Sequence, residues 1–283
     1  MSKFFDETVR ARQKVTPLEL AIPQGIQSIL EPGPAAPAPS NDLGSSRLKD
    51  CRKNNLPLSP FMHRQFKGSD SLEAVEESYR ALRTRLVRLK GTLGLRSVVI
   101  TSAAAFEGKT LTALNLALCC AQLQEMRVLL LDGDLRRCGL TRAFGNPPAP
   151  GLADILEGKA DPGKSILSTD VPHLFILGAG SRNAAPPELF AGRRWQEFVA
   201  WCNESFNLLV VDSPPVLNLS DTELITAACD SVLVVVRALA TRRALLEKAA
   251  RQIDPKKLLG VVYNNAENGH HSRYGYDYPS KDK

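Results

Sequence analysis

Ser97-Val98-Val99-Ile100-Thr101 runs through Ser102 into Ala103-Ala104-Ala105-Phe106-Glu107-Gly108-Lys109-Thr110, and this stretch decides the fold. The first five residues form a short apolar run rich in β-branched side chains, the pattern of a buried strand. Residues 109–124 read as a helix. A glycine and a lysine between a buried strand and a helix make a phosphate-binding loop, here with Ala103 in place of the usual leading glycine. Gly108 lets the backbone come close to phosphate oxygens, and the amides at the helix N-terminus face the anion. Lys109 supplies a point charge to the β- and γ-phosphates, and Thr110 an oxygen to Mg²⁺. A bare Gly-Lys-Thr triplet also occurs in surface turns; the strand before it and the helix after it favour the nucleotide reading. Phe106, Glu107, Gly108, Lys109, Thr110 and Leu111 are the candidate nucleotide-binding residues. Phe106 is bulky where such loops often use glycine, and either narrows the loop or covers the nucleotide.

Outward from this loop, strand and helix alternate. Residues 127–131, 173–177, 207–211, 231–236 and 258–263 are further short apolar runs, giving six strands in all. Helices are expected over 151–156, 187–204, 221–228 and 241–253. Before the first strand, Leu72, Val75, Tyr79, Leu82, Leu86 and Leu89 recur at steps of three and four, one apolar stripe of a helix. Buried strands separated by helices imply an α/β fold, a doubly wound and mostly parallel sheet flanked by helices. Ligands of such sheets sit at the carboxyl ends of the strands.

Two strands end there on acids. The second runs Leu131-Asp132-Gly133-Asp134-Leu135-Arg136, and the fourth Val211-Asp212-Ser213-Pro214-Pro215. An acid closing an apolar run is costly to bury unpaired. Mg²⁺ bound to ATP is the natural counter-charge, since it takes one or two carboxylates plus phosphate oxygens. A lone strand-end aspartate is often a turn residue or a helix cap. Two acid motifs and a phosphate loop on one sheet edge argue against that here. A carboxylate beyond those the metal needs can accept a proton from an attacking hydroxyl, which is the logic of phosphoryl transfer.

The 283 residues allow one or two domains. With 43% hydrophobic and 23% charged residues, the chain is neither wholly disordered nor a disulfide scaffold. A net charge of +6 over this length does not argue for nucleic acid. No apolar run approaches the ~20 residues of a membrane span, and the charged N-terminus lacks a signal core, so a cytoplasmic protein is expected. The six cysteines show no C-x-x-C spacing and read as reduced, mostly buried residues. Residues 1–70, with EPGPAAPAPS at 31–40, read as a flexible arm with a Pro-rich linker. A short helix is possible over 4–13, and partial order near 56–66. Residues 71–266 form the nucleotide-binding domain and 267–283 a flexible tail.

Taken together, these motifs resemble the bacterial tyrosine kinases of capsule and exopolysaccharide synthesis, of the cytoplasmic CpsD/CapB-like type. Gly108-Lys109-Thr110 matches their Walker A motif, and residues 132–136 their second, family-specific Walker motif. Val211-Asp212-Ser213-Pro214-Pro215 matches Walker B. Glu77, Arg80 and Arg83 match an E-x-x-R-x-x-R oligomerisation motif. The resemblance implies an ATP- and Mg²⁺-dependent enzyme of the P-loop fold that phosphorylates its own C-terminal tyrosines. Lys109 would bind phosphates, Thr110, Asp134 and Asp212 would organise Mg²⁺, and Asp132 would be the base. It also implies a ring-forming homo-oligomer, protein tyrosine substrates, and a separate transmembrane polysaccharide co-polymerase as activator that recruits the kinase to the inner face of the membrane. Ala105-Phe106 replaces the usual Pro-Gly of the family's loop, and Ala185 stands where asparagine often precedes Pro-x-Glu-Leu.

Three of the five tyrosines, Tyr274, Tyr276 and Tyr278, lie in the polar tail as RYGYDY. Polar flexible segments are usually poor in aromatics, so a phospho-acceptor cluster explains them better than a sticky tail. Glu77, Arg80 and Arg83 lie about 130° from the apolar stripe of their helix; by residues alone a solvated charged face accounts for them, and the resemblance favours an interface. Two rivals fit the same loop. A ParA/MinD-like nucleotide-switched ATPase would carry a signature lysine where Ala104 stands. A catalytically weakened, nucleotide-binding regulator would follow from Phe106.

Overall fold

In the computed structural model, residues 52–56, 69–145, 150–181, 186–217 and 220–265 are described. The possible helix over 4–13, Cys51 and the tail tyrosines Tyr274, Tyr276 and Tyr278 lie outside them. The strands are β1 (Arg52–Leu56), β2 (Ser97–Ser102), β3 (Val128–Asp132), β4 (Leu167–Thr169), β5 (Leu174–Leu177), β6 (Leu208–Asp212), β7 (Ser231–Arg237) and β8 (Leu258–Asn264). They form one sheet in the order β1-β4-β5-β3-β6-β2-β7-β8. Every pairing is parallel except β4 with β5.

The helices are α1 (Ser69–Leu93), α2 (Lys109–Ala121), α3 (Gly139–Ala143), α4 (Leu152–Leu156), α5 (Pro162–Ser165), α6 (Pro186–Ala191), α7 (Arg193–Ser205), α8 (Ser220–Ala228) and α9 (Arg243–Ala250). Successive residues of a strand point to opposite faces, and here both faces are apolar. Val98, Ile100, Leu130 and Val210 meet Tyr79, Leu82, Leu86 and Leu89 of α1 and the apolar side of α2. Val99, Leu129, Leu131 and Val211 meet Trp195 and Phe198 of α7 and Ile225 of α8 on the other. The Trp195 ring is fully buried and stands edge-on to Phe190, with centroids 5.2 Å apart.

Besides the short helices α3 and α5, which no sequence pattern announced, four features depart from the sequence reading. The helix expected over 187–204 is two helices, because Gly192 between them is extended, with ψ 152°. The strand expected from 173 begins at Leu174, because His173 has φ +66°. Leu167–Thr169 is an additional antiparallel strand whose Leu-Ser-Thr sequence carries no strand pattern. Finally, Arg52–Leu56 pairs with β4, so part of the expected arm is an edge strand of the sheet.

Candidate active site

The chain turns sharply between β2 and α2. Gly108 has φ +93°, and a Cβ there would collide with the Asn264 side chain at the end of β8. Asn264 Nδ2 donates to the Glu107 carbonyl at 3.0 Å. The Glu107 carboxylate is buried and accepts from the Ala104 amide at 2.8 Å and the Thr241 hydroxyl at 2.5 Å. Of the expected nucleotide-binding residues, Glu107 therefore spends its side chain on holding the loop in shape. Phe106 also has a positive φ, +65°. Its ring is turned out of the loop, 86% exposed, with the Arg137 guanidinium 5.3 Å above it. The ring does not narrow the loop.

Behind the loop, parallel register sets Asp132 directly beside Asp212. Gly133 lets these ends close: its amide donates to the Asp212 carbonyl at 2.8 Å, and a Cβ there would lie 3.0 Å from Val211 Cγ1. Lys109, at the start of α2, points into this edge. Its Nζ is 3.4 Å from Asp134 Oδ2 and 3.5 Å from Asp212 Oδ1. The structure thus brings Lys109, Asp132, Asp134 and Asp212 together, with the Thr110 hydroxyl close to Gly139 in the next loop.

The three carboxylates have different surroundings. Asp134 Oδ1 accepts from the Arg137 amide at 3.0 Å. Asp132 accepts from the amide and the hydroxyl of Thr141, at 2.7 and 2.6 Å, and from the Asp134 amide at 3.2 Å. Burial still pushes its carboxyl above the usual range, against the Thr141 hydrogen bonds and with the Asp134 charge adding to the rise. Asp212 is fully buried, and its charge is faced by the Lys109 ammonium at 3.5 Å from Oδ1 and by the Thr110 hydroxyl. Its carboxyl is pushed up to about 7, first by burial, with Lys109 opposing and the charges of Asp132 and Asp134 reinforcing. Three buried carboxylates against one lysine leave this edge short of positive charge, a deficit that a cation can relieve.

Several supports escaped the sequence reading. Thr141 is nine residues from the aspartate it holds and belongs to no local motif. Arg136 makes a two-pronged ion pair with buried Asp221, Nε to Oδ2 at 2.8 Å and a second bond at 3.2 Å, tying the β3–α3 loop to α8. Asn264 was findable in principle, because it ends the sixth apolar run at the carboxyl edge. A cleft of about 710 Å³ opens on the outer side of the phosphate loop, lined by Ala104, Phe106, Arg237, Thr241, Arg242 and Lys248.

Glu77, Arg80 and Arg83 lie elsewhere, on α1. Arg80 pairs with Glu76 and Glu77 of the same helix, at 3.1 and 3.3 Å. Arg83 donates to the Cys119 carbonyl of α2 at 3.0 Å. Among the described residues all five cysteines are unbridged, no helix is long and apolar enough to cross a membrane, and no three His, Cys, Asp or Glu side chains converge to hold a metal ion by themselves.

No family model matches the chain. Individual proteins do. Over 208 residues it is 32% identical to tyrosine-protein kinase YwqD of Bacillus subtilis (strain 168), spanning 73% of this chain and 87% of that one. It is 30% identical to tyrosine-protein kinase CpsD of Streptococcus agalactiae, over 71% of this chain and 90% of the relative. The solved structure of the chimerical protein CapA2B2 superposes with a TM-score of 0.63 at 28% identity, covering 75% of this chain and 90% of that one. With most of a curated relative spanned at 30% identity or more, the chain belongs to the bacterial tyrosine kinase family.

Proposed function

We propose that this chain is an ATP-dependent protein-tyrosine autokinase that phosphorylates its C-terminal cluster, Tyr274, Tyr276 and Tyr278, and regulates exopolysaccharide or capsule polymerisation or export. The observation that carries the reading is the buried pairing of Lys109 with Asp134 and Asp212 directly behind a glycine-containing loop at a helix N-terminus. Family membership supplies the tyrosine specificity and the link to polysaccharide.

In this mechanism the loop amides and Lys109 bind the phosphates of ATP, with the base and ribose toward the cationic cleft beside Phe106. The donor set fits Mg²⁺. Asp212 offers a fully buried carboxylate that only Lys109 and the Thr110 hydroxyl face, and Asp134 lies beside it across Lys109. Because no protein cage is complete by itself, the ion would share phosphate oxygens and water, as Mg²⁺ prefers. When bound, Mg²⁺ supplies charge neutralisation along the phosphates. Asp132 accepts the proton of the tyrosine hydroxyl. The phenolic oxygen forms a bond to the γ-phosphorus as the bond to the bridging β,γ-oxygen breaks, and ADP leaves with that electron pair. Lys109 stabilises the developing charge. The partners in this reading are further copies of the chain in a ring, through Glu77, Arg80 and Arg83, and a membrane activator.

Intact and tail-peptide mass spectrometry of the full chain, before and after Mg²⁺–ATP, tests the proposal beside Asp132→Asn. Phosphate on Tyr274, Tyr276 or Tyr278 in wild type alone is expected. ATP bound without any transfer, even with the cytoplasmic segment of a co-polymerase added, would overturn it in favour of a nucleotide-binding regulator.

A further inference from the structure

A carboxylate on a single methylene turns about a broad, two-fold torsion, so a general base needs something to fix its plane. Asp132 has it more firmly on one side than on the other. Both bonds from Thr141, amide at 2.7 Å and hydroxyl at 2.6 Å, fall on Oδ2. Oδ1 receives the longer 3.2 Å bond from the Asp134 amide. The Thr141 hydroxyl is itself oriented, because the Ala179 amide donates to it at 2.8 Å. A hydroxyl has one proton and two acceptor sites. With one acceptor site taken by Ala179, the proton points at Asp132.

The anchor is rigid beyond Thr141. Ala179 begins the exit from β5, and that exit is fastened to α4 and its cap. Leu152 and Ala153 donate to the carbonyls of Gly178 and Ala179, each at 2.9 Å. Asp154 Oδ2 accepts the amides of Gly151 at 2.8 Å and Ser181 at 3.1 Å. Three segments, around Thr141, Gly151–Asp154 and Gly178–Ser181, are thus linked into a chain of hydrogen bonds that ends on one oxygen of Asp132.

We propose that Thr141 is a positioning residue for the transfer reaction: it clamps Oδ2 of Asp132, so that Oδ1 is the oxygen presented to the tyrosine hydroxyl. This rests on the reading of Asp132 as the base. Removing the hydroxyl while keeping the shape leaves only the two backbone bonds, from the Thr141 and Asp134 amides, loosens the hold on the carboxylate plane, and leaves the Ala179 amide unpaired. Supporting contacts of this kind typically change activity ten- to a hundredfold, through geometry rather than ground-state binding.

The test uses the full chain with Thr141→Val, Thr141→Ser, Asp132→Asn and the Asp132→Asn/Thr141→Val double variant. Single-turnover transfer to the tail, KM for ATP and calorimetric Mg²⁺–ATP affinity are measured for each, with a crystal structure of Thr141→Val. Thr141→Val is expected to slow transfer ten- to a hundredfold with KM and affinity within twofold, and its Asp132 carboxylate to be rotated. Thr141→Ser is expected within threefold of wild type, and the double variant no slower than Asp132→Asn. Wild-type transfer by Thr141→Val, an unmoved carboxylate, or an equal loss of ATP affinity would overturn the proposal while leaving the base assignment standing. Full transfer by Asp132→Asn would overturn the base assignment itself. If Thr141→Val does not fold, Thr141→Cys against Thr141→Ser makes the same comparison with a weaker donor, and equal rates for the two would overturn the clamp.

Discussion

Two sets of charged side chains stand out in this molecule, and their surroundings are opposite. At the carboxyl edge of the sheet, Lys109, 11% exposed, faces Asp134 and Asp212, which are 1% and 0% exposed. On α1, Arg80 faces Glu76 and Glu77 with side chains 47%, 46% and 72% exposed. Distances are similar, 3.1 to 3.5 Å. The energetics are not. Exposed pairs within one helix contribute a few tenths of a kcal/mol and are screened by salt. Buried charges keep a desolvation penalty that one lysine cannot offset for three acids. The α1 face is comfortable in water as it stands; the sheet edge is stable only because the rest of the fold holds it there. Surplus buried charge is thus the mark of a site built for a charged ligand.

The largest expected effect sharpens that contrast. Lys109→Met keeps the stem and removes the cation that faces Asp134 and Asp212. Transfer should fall at least a hundred- to a thousandfold, the usual cost of losing one transition-state contact. The free protein should also lose about 3 kcal/mol, because the acids are left uncompensated. Kinetics and thermal melting of the same preparation would read both. An unchanged melting temperature would mean that the lysine is solvated in the free protein and that the contrast with α1 is false.

Asp212→Asn should act in the opposite direction on stability. It removes a buried charge whose desolvation outweighs the pull of Lys109 and raises its carboxyl to about 7, and it leaves two acids for one lysine. Transfer should be lost, while the ligand-free protein gains about 1 kcal/mol, a rise of roughly 2–4 °C in Tm for a domain of this size. A fall in Tm comparable to that of Lys109→Met would show a balanced ion cluster instead of a charge surplus.

The contrast also explains what the sequence could reveal. β-branched runs such as Val98-Val99-Ile100 announce buried strands because both of their faces must be apolar. Asp132, Asp134 and Asp212 are legible because an acid ending such a run has no structural reason to be there. What stayed hidden depends on contacts between distant segments. Thr141 meets Ala179 across 38 positions, Arg136 meets Asp221 across 85, and Asn264 meets Glu107 across 157. No local pattern encodes them. Glu107 lies in the expected phosphate loop, but Thr241, which holds its carboxylate, is 134 positions away in sequence. The edge strands were hidden for a simpler reason: RKNNL and LST are too short and too polar to alternate.

The smallest expected effects separate two arginines of the α1 motif. Arg83 reaches back to the Cys119 carbonyl of α2, about 15 Å along that helix from Lys109 at 1.5 Å per residue, and is part-buried there. Charge-assisted bonds of this kind count for more than exposed pairs, so Arg83→Ala should cost about 1–2 kcal/mol in the isolated subunit. Arg80→Ala removes only exposed contacts and should cost less than about 0.5 kcal/mol. Arg80 is therefore the clean probe of the proposed ring interface. Sedimentation of Arg80→Ala should show smaller assemblies with Tm unchanged, since the guanidinium can leave Glu76 and Glu77 for a neighbouring copy at little cost. Wild-type assembly by Arg80→Ala would reduce this face to a solvated one, and any loss of assembly in Arg83→Ala would then report the weakened α1–α2 contact instead of a lost subunit contact.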